Sequence, residues 1–253
     1  MKPRATVAVD PEAEERELRE YLGARYEHLR LQQWAHQLDE EFRQIGDEQE
    51  FYRRSEGYLY NLTAFAMSRT KVPYLQDLVR LCPPPARLLD YGCGIGSDGL
   101  ALSAAGYDVS FADFDNPSTR YLRWRLQRRG LDGVAVYDLD RDPPPGGFDL
   151  AFAFDVLEHV ADPFALLDEL ERRARIVLVN VLEPVADDVE VHHRELPVQA
   201  LIDHATTHGL RRHRRYHGRV HLLGYAPCAG GGAETGWLAS RVARIRARLP
   251  ALP

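Results

Sequence analysis

The chain has almost no lysine. Lys2 and Lys71 are the only two, and arginine supplies every other permanent positive charge. An Arg-, Ala- and Pro-rich composition of this kind reflects GC-rich coding DNA more than a function. Cysteine is also scarce. Cys82, Cys93 and Cys228 are odd in number, far apart and without C-x-x-C spacing. That excludes a disulfide framework and a cysteine zinc site, and it suits a reducing, cytoplasmic setting. No apolar run approaches the length of a membrane span, so no membrane partner is expected. The opening Met1-Lys2-Pro3-Arg4 turns acidic without an apolar core, unlike a secretory signal. No internal repeat is visible. Hydrophobic content of 45% is enough for a proper core in a chain of 253 residues.

Charge is unevenly spread. The net charge of −6 divides into −3 over residues 1–81, −11 over 82–204 and +8 over 205–253. A central part at −11 is a poor match for a polyanion, so nucleic acid is disfavoured as a partner. The basic C-terminal part is the one place where nucleic acid or an acidic partner could dock.

One stretch organises the rest: Arg87-Leu88-Leu89-Asp90-Tyr91-Gly92-Cys93-Gly94-Ile95-Gly96. Leu88 and Leu89 read as a buried strand, an acidic residue ends it, and three alternate glycines lead into a helical pattern from about Ser97 to Ala105. Strand, glycine loop and helix bring backbone close to a nucleotide-like ligand at the carboxyl end of a parallel sheet. Glycine avoids a side chain that would keep the ligand off, and it permits positive φ. A carboxylate at Asp90 would repel a phosphate and favours a cationic ligand. At Asp90, Gly92, Gly94 and Gly96 the chain resembles the class I S-adenosylmethionine-dependent methyltransferases, whose first motif is acidic-x-Gly-x-Gly-x-Gly. Gly94 to Gly99 also spells G-x-G-x-x-G, the mark of a nicotinamide enzyme, but there the glycines follow the strand without a carboxylate at its tip.

Around this stretch the chain reads as helices first, then alternating strands and helices. Apolar steps of three and four predict helix from Pro11 to about Ile45, capped by Asp10, with a break near Gly23 or between Leu29 and Leu31. Further helices are expected over Glu48–Arg69, interrupted at Gly57, and over Val72–Leu81. Strands are expected at Leu88–Tyr91, Asp108–Ala112, Val134–Tyr137, Phe148–Phe154 and Ile176–Val181. Helices are expected over Asn116–Arg129, Asp162–Arg173 and Pro197–His208. Leu210–Tyr216 and Val220–Tyr225 are joined too tightly for a helical crossover, so that pair should be antiparallel. The expected fold is α/β: a doubly wound, mostly parallel seven-stranded sheet with an antiparallel last strand. Residues 1–82 form a helical extension, 83–227 the cofactor-binding domain, and 228–253 a Gly-rich linker with a short basic helix. In the resembling family such N-terminal helices fold over the active site as a lid. A homodimer through these helices is an arrangement the sequence leaves open.

The resemblance covers about residues 85–226 and assigns roles to other positions. Asp113, at the tip of strand two, would take the ribose hydroxyls. Asp115 fits a helix cap before Asn116-Pro117 better. Asp138 would accept from the adenine amino group, with Leu139 on the ring. Asp155-Val156-Leu157-Glu158-His159-Val160 looks like the fourth motif of small-molecule methyltransferases, with Asp155 nearest the methionine end and Glu158 at the acceptor pocket. His159 is either a pocket residue or a structural one bonded to nearby backbone, and the structural reading is preferred. Asn180 and Glu183 close strand five near the acceptor. The loop from Val185 to Arg194 then carries His192 and His193, either of which could take a proton from the acceptor. Its acidic groups and histidines lack diagnostic ligand spacing, so no metal is expected. Tyr58 and Tyr60, beside Gly57, are the candidate lid contacts.

Together these imply a methyltransferase of ubiquinone-biosynthesis-like type. It would move a methyl group from S-adenosylmethionine to an oxygen or nitrogen of a small metabolite, with natural-product biosynthesis one setting. Lacking a catalytic lysine or an Asn-Pro-Pro-Tyr-type amide motif, the chain disfavours base methylation of nucleic acid. The alternatives are an RNA or protein methyltransferase using the basic C-terminal part, and a non-catalytic relative that binds the cofactor.

Overall fold

A computed structural model describes residues 6–46, 48–183 and 194–227. Seven strands form one sheet in the order β3-β2-β1-β4-β5-β7-β6. They are β1 (Arg87–Tyr91), β2 (Asp108–Asp113), β3 (Val136–Asp138), β4 (Leu150–Ala153), β5 (Val177–Leu182), β6 (Leu210–Tyr216) and β7 (Val220–Tyr225). The first five pair in parallel, and β7 runs antiparallel to both β5 and β6. The doubly wound architecture and the antiparallel end are therefore as the alternating pattern implies. The strand order reverses between β1 and β4, which opens a crevice at their carboxyl ends.

Successive residues of a strand face opposite sides of the sheet, and β1 shows what that achieves. Leu88 packs with Leu75 and Leu78 of α6 (Val72–Leu81), Leu102 of α7 (Ser97–Ala104) and Leu122 of α8 (Pro117–Arg128). Leu89 packs on the other face with Leu170 of α9 (Pro163–Arg173) and Leu201 of α10 (Val198–Thr207). Both leucines are fully buried. At about 2 kcal/mol each, burial of such side chains is what fixes the register of this central strand.

Several strand ends depart from the expected bounds by one or two residues, for local reasons. Phe148 makes only an isolated bridge to Ala174. At the far end β4 stops because Asp155 takes a left-handed conformation with φ 56°. The helix after β2 is capped by Asn116, not Asp115. The Asn116 side chain accepts from Thr119 N at 2.9 Å, and the Thr119 hydroxyl accepts from Asn116 N at 3.0 Å. Asp115 instead lies 3.4 Å from Arg123.

Among the described residues the N-terminal segment forms five helices, α1 (Pro11–Leu22), α2 (His28–Gln32), α3 (Trp34–Ile45), α4 (Glu48–Arg54) and α5 (Gly57–Ser68), with the expected breaks at Gly23 and before Gly57 and one more at Gln33. Asp10 caps α1 as expected. These helices are fastened to the sheet domain by a buried ionic cluster. Arg125 of α8 reaches Glu14 at 2.6 Å and Glu17 at 2.7 Å, both on α1. The same guanidinium donates to Ile95 O and to Ser97 Oγ, each at 2.9 Å. Ser97 Oγ donates to Glu14 at 2.7 Å. One arginine thus ties α1 to the glycine loop and to the first turn of α7. Among the described residues, no helix is long and apolar enough to cross a membrane.

Candidate functional site

A cavity of about 570 Å³ occupies the crevice between the carboxyl ends of β1 and β4 and the N-terminal helices. Its floor is the loop after β1. Gly92, Gly94 and Gly96 all have positive φ, at 69°, 52° and 73°. Gly92 and Gly94 line the cavity; Gly96 does not. A Cβ on Gly96 would sit 2.4 Å from Leu122 Cδ1, so this glycine serves helix packing rather than ligand approach. Gly94 answers to both: a Cβ there would come within 2.9 Å of Leu62 Cδ1 from α5.

Four aspartates line this end: Asp90, Asp98, Asp113 and Asp155. Asp90 accepts from Gly99 N at 3.1 Å, and its burial, reinforced by Asp98, pushes its pKa well up. Asp113 accepts from Gly94 N and Phe114 N, each at 2.7 Å. Burial nevertheless pushes it up to about 6. Asp155 exchanges hydrogen bonds with the buried Asn180: its own N donates to Asn180 Oδ1 at 2.7 Å, and Asn180 Nδ2 donates to its Oδ1 at 2.6 Å. That pair holds a non-glycine residue at positive φ, a strain that structures tolerate mainly at functional positions.

Sequence reasoning gave Lys71 no role, yet it stands in this cavity. Its Nζ lies 2.9 Å from Asp155 Oδ2 and 3.7 Å from Asp98 Oδ2. Burial alone would pull the ammonium pKa down, but the two carboxylates outweigh it and raise it. Burial likewise opposes an ionised Asp155, and Lys71 with Asn180 reverses that, so Asp155 is held below the usual carboxylate range. The only signal in the sequence was rarity: one of two lysines in an arginine-rich chain. Among the described residues, five carboxyl side chains line the cavity together with three cations, Arg69, Lys71 and Arg219.

The far wall is aromatic. Trp34, Phe51, Tyr52, Tyr58 and Phe65 come from α3, α4 and α5. Tyr58 is on this wall as its position suggested, and burial first, then Asp113, Asp155 and Glu158, keep its hydroxyl protonated. Tyr60 is not. Gly57 starts a helix rather than a turn, and residues two apart on a helix point in different directions. The Tyr60 hydroxyl instead accepts from Glu27 N at 3.0 Å and donates to Arg25 O at 3.3 Å inside the helical layer.

Where the walls meet, His159 Nδ1 lies 3.0 Å from the Tyr52 hydroxyl. The two rings meet edge-on at 5.4 Å. His159 sits in a 3₁₀ turn after β4, residues Leu157–His159, beside the buried Glu158, which also lines the cavity. Tyr52 was missed as an individual candidate, because only the fold brings α4 over this turn. The remaining candidates divide. Leu139 lines the cavity, while Asp138 does not and accepts from Asp140 N at 3.0 Å. Asn180 acts behind the wall through Asp155. Glu183 is off the wall and engages His221 at 2.6 Å. His192 and His193 lie outside the described residues.

A profile for a methyltransferase domain matches residues 65–221, well over half of the chain. The probable S-adenosyl-L-methionine-dependent methyltransferase TehB of Haemophilus influenzae is 32% identical over 94 residues, 36% of this chain and 30% of TehB. The ubiquinone biosynthesis O-methyltransferase of Xanthomonas campestris is 30% identical over 106 residues, 40% of this chain and 43% of that protein. The chain thus spans less than half the length of these curated relatives. Among solved structures, TehB from Haemophilus influenzae aligns with a TM-score of 0.53 at 15% identity, over 65% of this chain and 66% of that one. The pyocyanin biosynthetic protein PhzM aligns with a TM-score of 0.52 at 17% identity, over 68% and 59%. At those identities the structures speak to the fold, and they share it. With the domain profile spanning the glycine loop, the four aspartates and the turn at His159, the chain belongs to the methyltransferase domain family.

Proposed function

We propose that the protein transfers a methyl group from S-adenosylmethionine to a hydroxyl on a flat, largely apolar small molecule. The observation that carries this reading is a single cavity with two unlike ends. Aspartates and Lys71 crowd the glycine-loop end, and aromatic side chains with the Tyr52–His159 pair form the other.

The first end fits the cofactor's chemistry. Asp113 would hold ribose hydroxyls, Leu139 would lie against the adenine, and Asp155 and Asp98 would face the amino group. Lys71 would turn from its aspartates to the cofactor's carboxylate. Bound there, S-adenosylmethionine supplies an electrophilic methyl on a sulfonium. The protein's own tasks are to align the acceptor oxygen with that methyl and to remove one proton. A hydroxyl acceptor gives its proton to the Tyr52 oxygen while the Tyr52 proton passes to His159 Nδ1. The imidazolium so formed lies within the field of Asp155, whose charged form a charge on His159 favours. Apolar walls favour a flat carbon skeleton and keep water from the methyl group.

The test is release of S-adenosylhomocysteine from a panel of phenols, matched amines and short RNA. Phenols should turn over and RNA should not. Tyr52→Phe and His159→Ala should each lose about 10²–10⁴-fold in turnover with cofactor affinity intact. If His192→Ala or His193→Ala shows that loss instead, the proton acceptor lies in the loop after β5 and the Tyr52–His159 assignment fails.

A further inference from the structure

A second cluster of chemistry-bearing side chains stands away from the cavity. Glu171 of α9 meets His204 and His208 of α10, and the candidate ligand atoms of the three lie within 4.8 Å of one another. None of these residues lines the methyl-transfer cavity. The glutamate and His204 side chains are each only 14% exposed, and His208 is 36% exposed. We propose that Glu171, His204 and His208 form a binding site for a borderline divalent cation, Zn²⁺ in the first instance, with water completing the shell.

Hydrogen bonds fix where the protons of this cluster lie. His208 Nδ1 lies 2.8 Å from the backbone oxygen of His204. A carbonyl oxygen only accepts, so this nitrogen carries the hydrogen. In the neutral ring Nε2 is therefore the lone pair. That lone pair stands 4.0 Å from Glu171 Oε2, itself an acceptor. Two acceptors facing one gap repel unless something positive lies between them. On the other side His204 Nε2 lies 2.6 Å from Glu171 Oε1. A shift of its hydrogen to Nδ1, the other neutral tautomer, frees a second imidazole lone pair for the same gap.

The frame is fixed before any ion arrives. His204 and His208 are one helical turn apart, and their rings stack nearly parallel, 18° apart with centroids at 4.0 Å. Both nitrogens thus face the same side of α10. Phe164 lies 5.8 Å from the His204 ring, and Tyr225 of β7 meets it edge-on at 5.9 Å. The Tyr225 hydroxyl donates to Glu171 Oε1 at 2.9 Å. A ligand carboxylate hydrogen-bonded from behind and a ligand histidine bonded through its far nitrogen are the usual supports of a metal shell. Two imidazoles and one carboxylate suit zinc, which takes nitrogen at about 2.0–2.1 Å and oxygen at about 2.0–2.2 Å. Donors on such bonds sit some 3.3–3.5 Å apart. His204 must therefore back away from Glu171 and His208 must close on it, by less than an ångström each. The site would clasp α9, α10 and β7 together.

Titrating the tag-free full chain with Zn²⁺ by calorimetry, and with Co²⁺ by visible absorption, tests this. One equivalent should bind, with the strong d–d bands of four-coordinate cobalt. His204→Gln and His208→Gln should abolish the cobalt bands while the circular dichroism spectrum is unchanged. Tyr225→Phe should keep the bands and weaken binding about tenfold. Bands that survive both histidine variants, or that vanish only in His192→Gln or His193→Gln, would overturn the assignment. So would the absence of any one-to-one binding at neutral pH.

Discussion

Asp113 is pulled two ways. Burial favours its neutral form and pushes it up to about 6, while the amides of Gly94 and Phe114 favour its charged form. A ribose diol also donates, and so favours the charge. Cofactor binding should therefore draw a proton off Asp113. The sign follows: affinity is full above about pH 6 and falls as pH drops, by up to about tenfold per unit. Calorimetry from about pH 5 to about pH 8 reads this slope, and Asp113→Asn should flatten it while weakening binding at neutral pH. In the empty protein the same raised value means that stability declines as pH rises from about 4 to about 6. Lys71 permits a sharper test. If its ammonium turns to the cofactor's carboxylate, Lys71→Met should weaken S-adenosylhomocysteine binding by about 1.5–3 kcal/mol. An analogue lacking the carboxylate should bind parent and variant alike. Equal losses for both ligands would assign Lys71 to holding Asp98 and Asp155 only.

At the scale of elements, α1 and the glycine loop act as one unit because Arg125 bonds both. Removing one partner of a buried ion cluster leaves the others unpaired, so Arg125→Ala should cost about 3–5 kcal/mol in urea unfolding. It should also weaken cofactor binding, since the Ile95 carbonyl and the Ser97 hydroxyl lose their shared donor. Leu170→Ala, a core truncation under α9 costing about 2–5 kcal/mol, is the control that should leave affinity unchanged. Equal affinities in the two variants would detach the latch from the site. None of this coupling was legible in the sequence. Arg125 reads as one more arginine on a polar helix face, and its partners lie 108 and 111 residues away. The strands, the mostly parallel sheet with its antiparallel last strand and the glycine loop were legible, because each rests on neighbours in sequence: apolar period, turn residues and a motif ten residues long. Where a local rule met a better local partner it misled, as at Asp115, which lost the cap to Asn116 and Thr119. Tyr52, Lys71 and the Glu171 cluster needed contacts between elements far apart along the chain.

For the whole molecule, the site is shared between two layers that the chain builds separately. The carboxyl edge of the sheet supplies the aspartates, and α3–α5 supply the aromatic wall. The helical layer has its own small core, with Leu18, Leu22, Leu31, Leu59 and Tyr60 packed together against Ile95 and Tyr121. That core is smaller than either core of the sheet, so local opening of the layer costs less than global unfolding. A ligand that touches only the glycine-loop end should therefore protect the sheet edge and leave α4 little changed. One that also fills the aromatic end bridges both layers and should slow hydrogen exchange in α3, α4 and α5, with a gain set by its concentration relative to its dissociation constant, about 2.7 kcal/mol at a hundredfold excess. Exchange measured with S-adenosylhomocysteine alone, then with a phenolic acceptor added, separates the two ends. Protection should spread from residues 90–113 to Tyr52 and Tyr58 only in the second case. If the acceptor adds no protection to α4 and α5, the aromatic wall belongs to the packing of the helical layer, and the acceptor must enter from the side of the loop after β5.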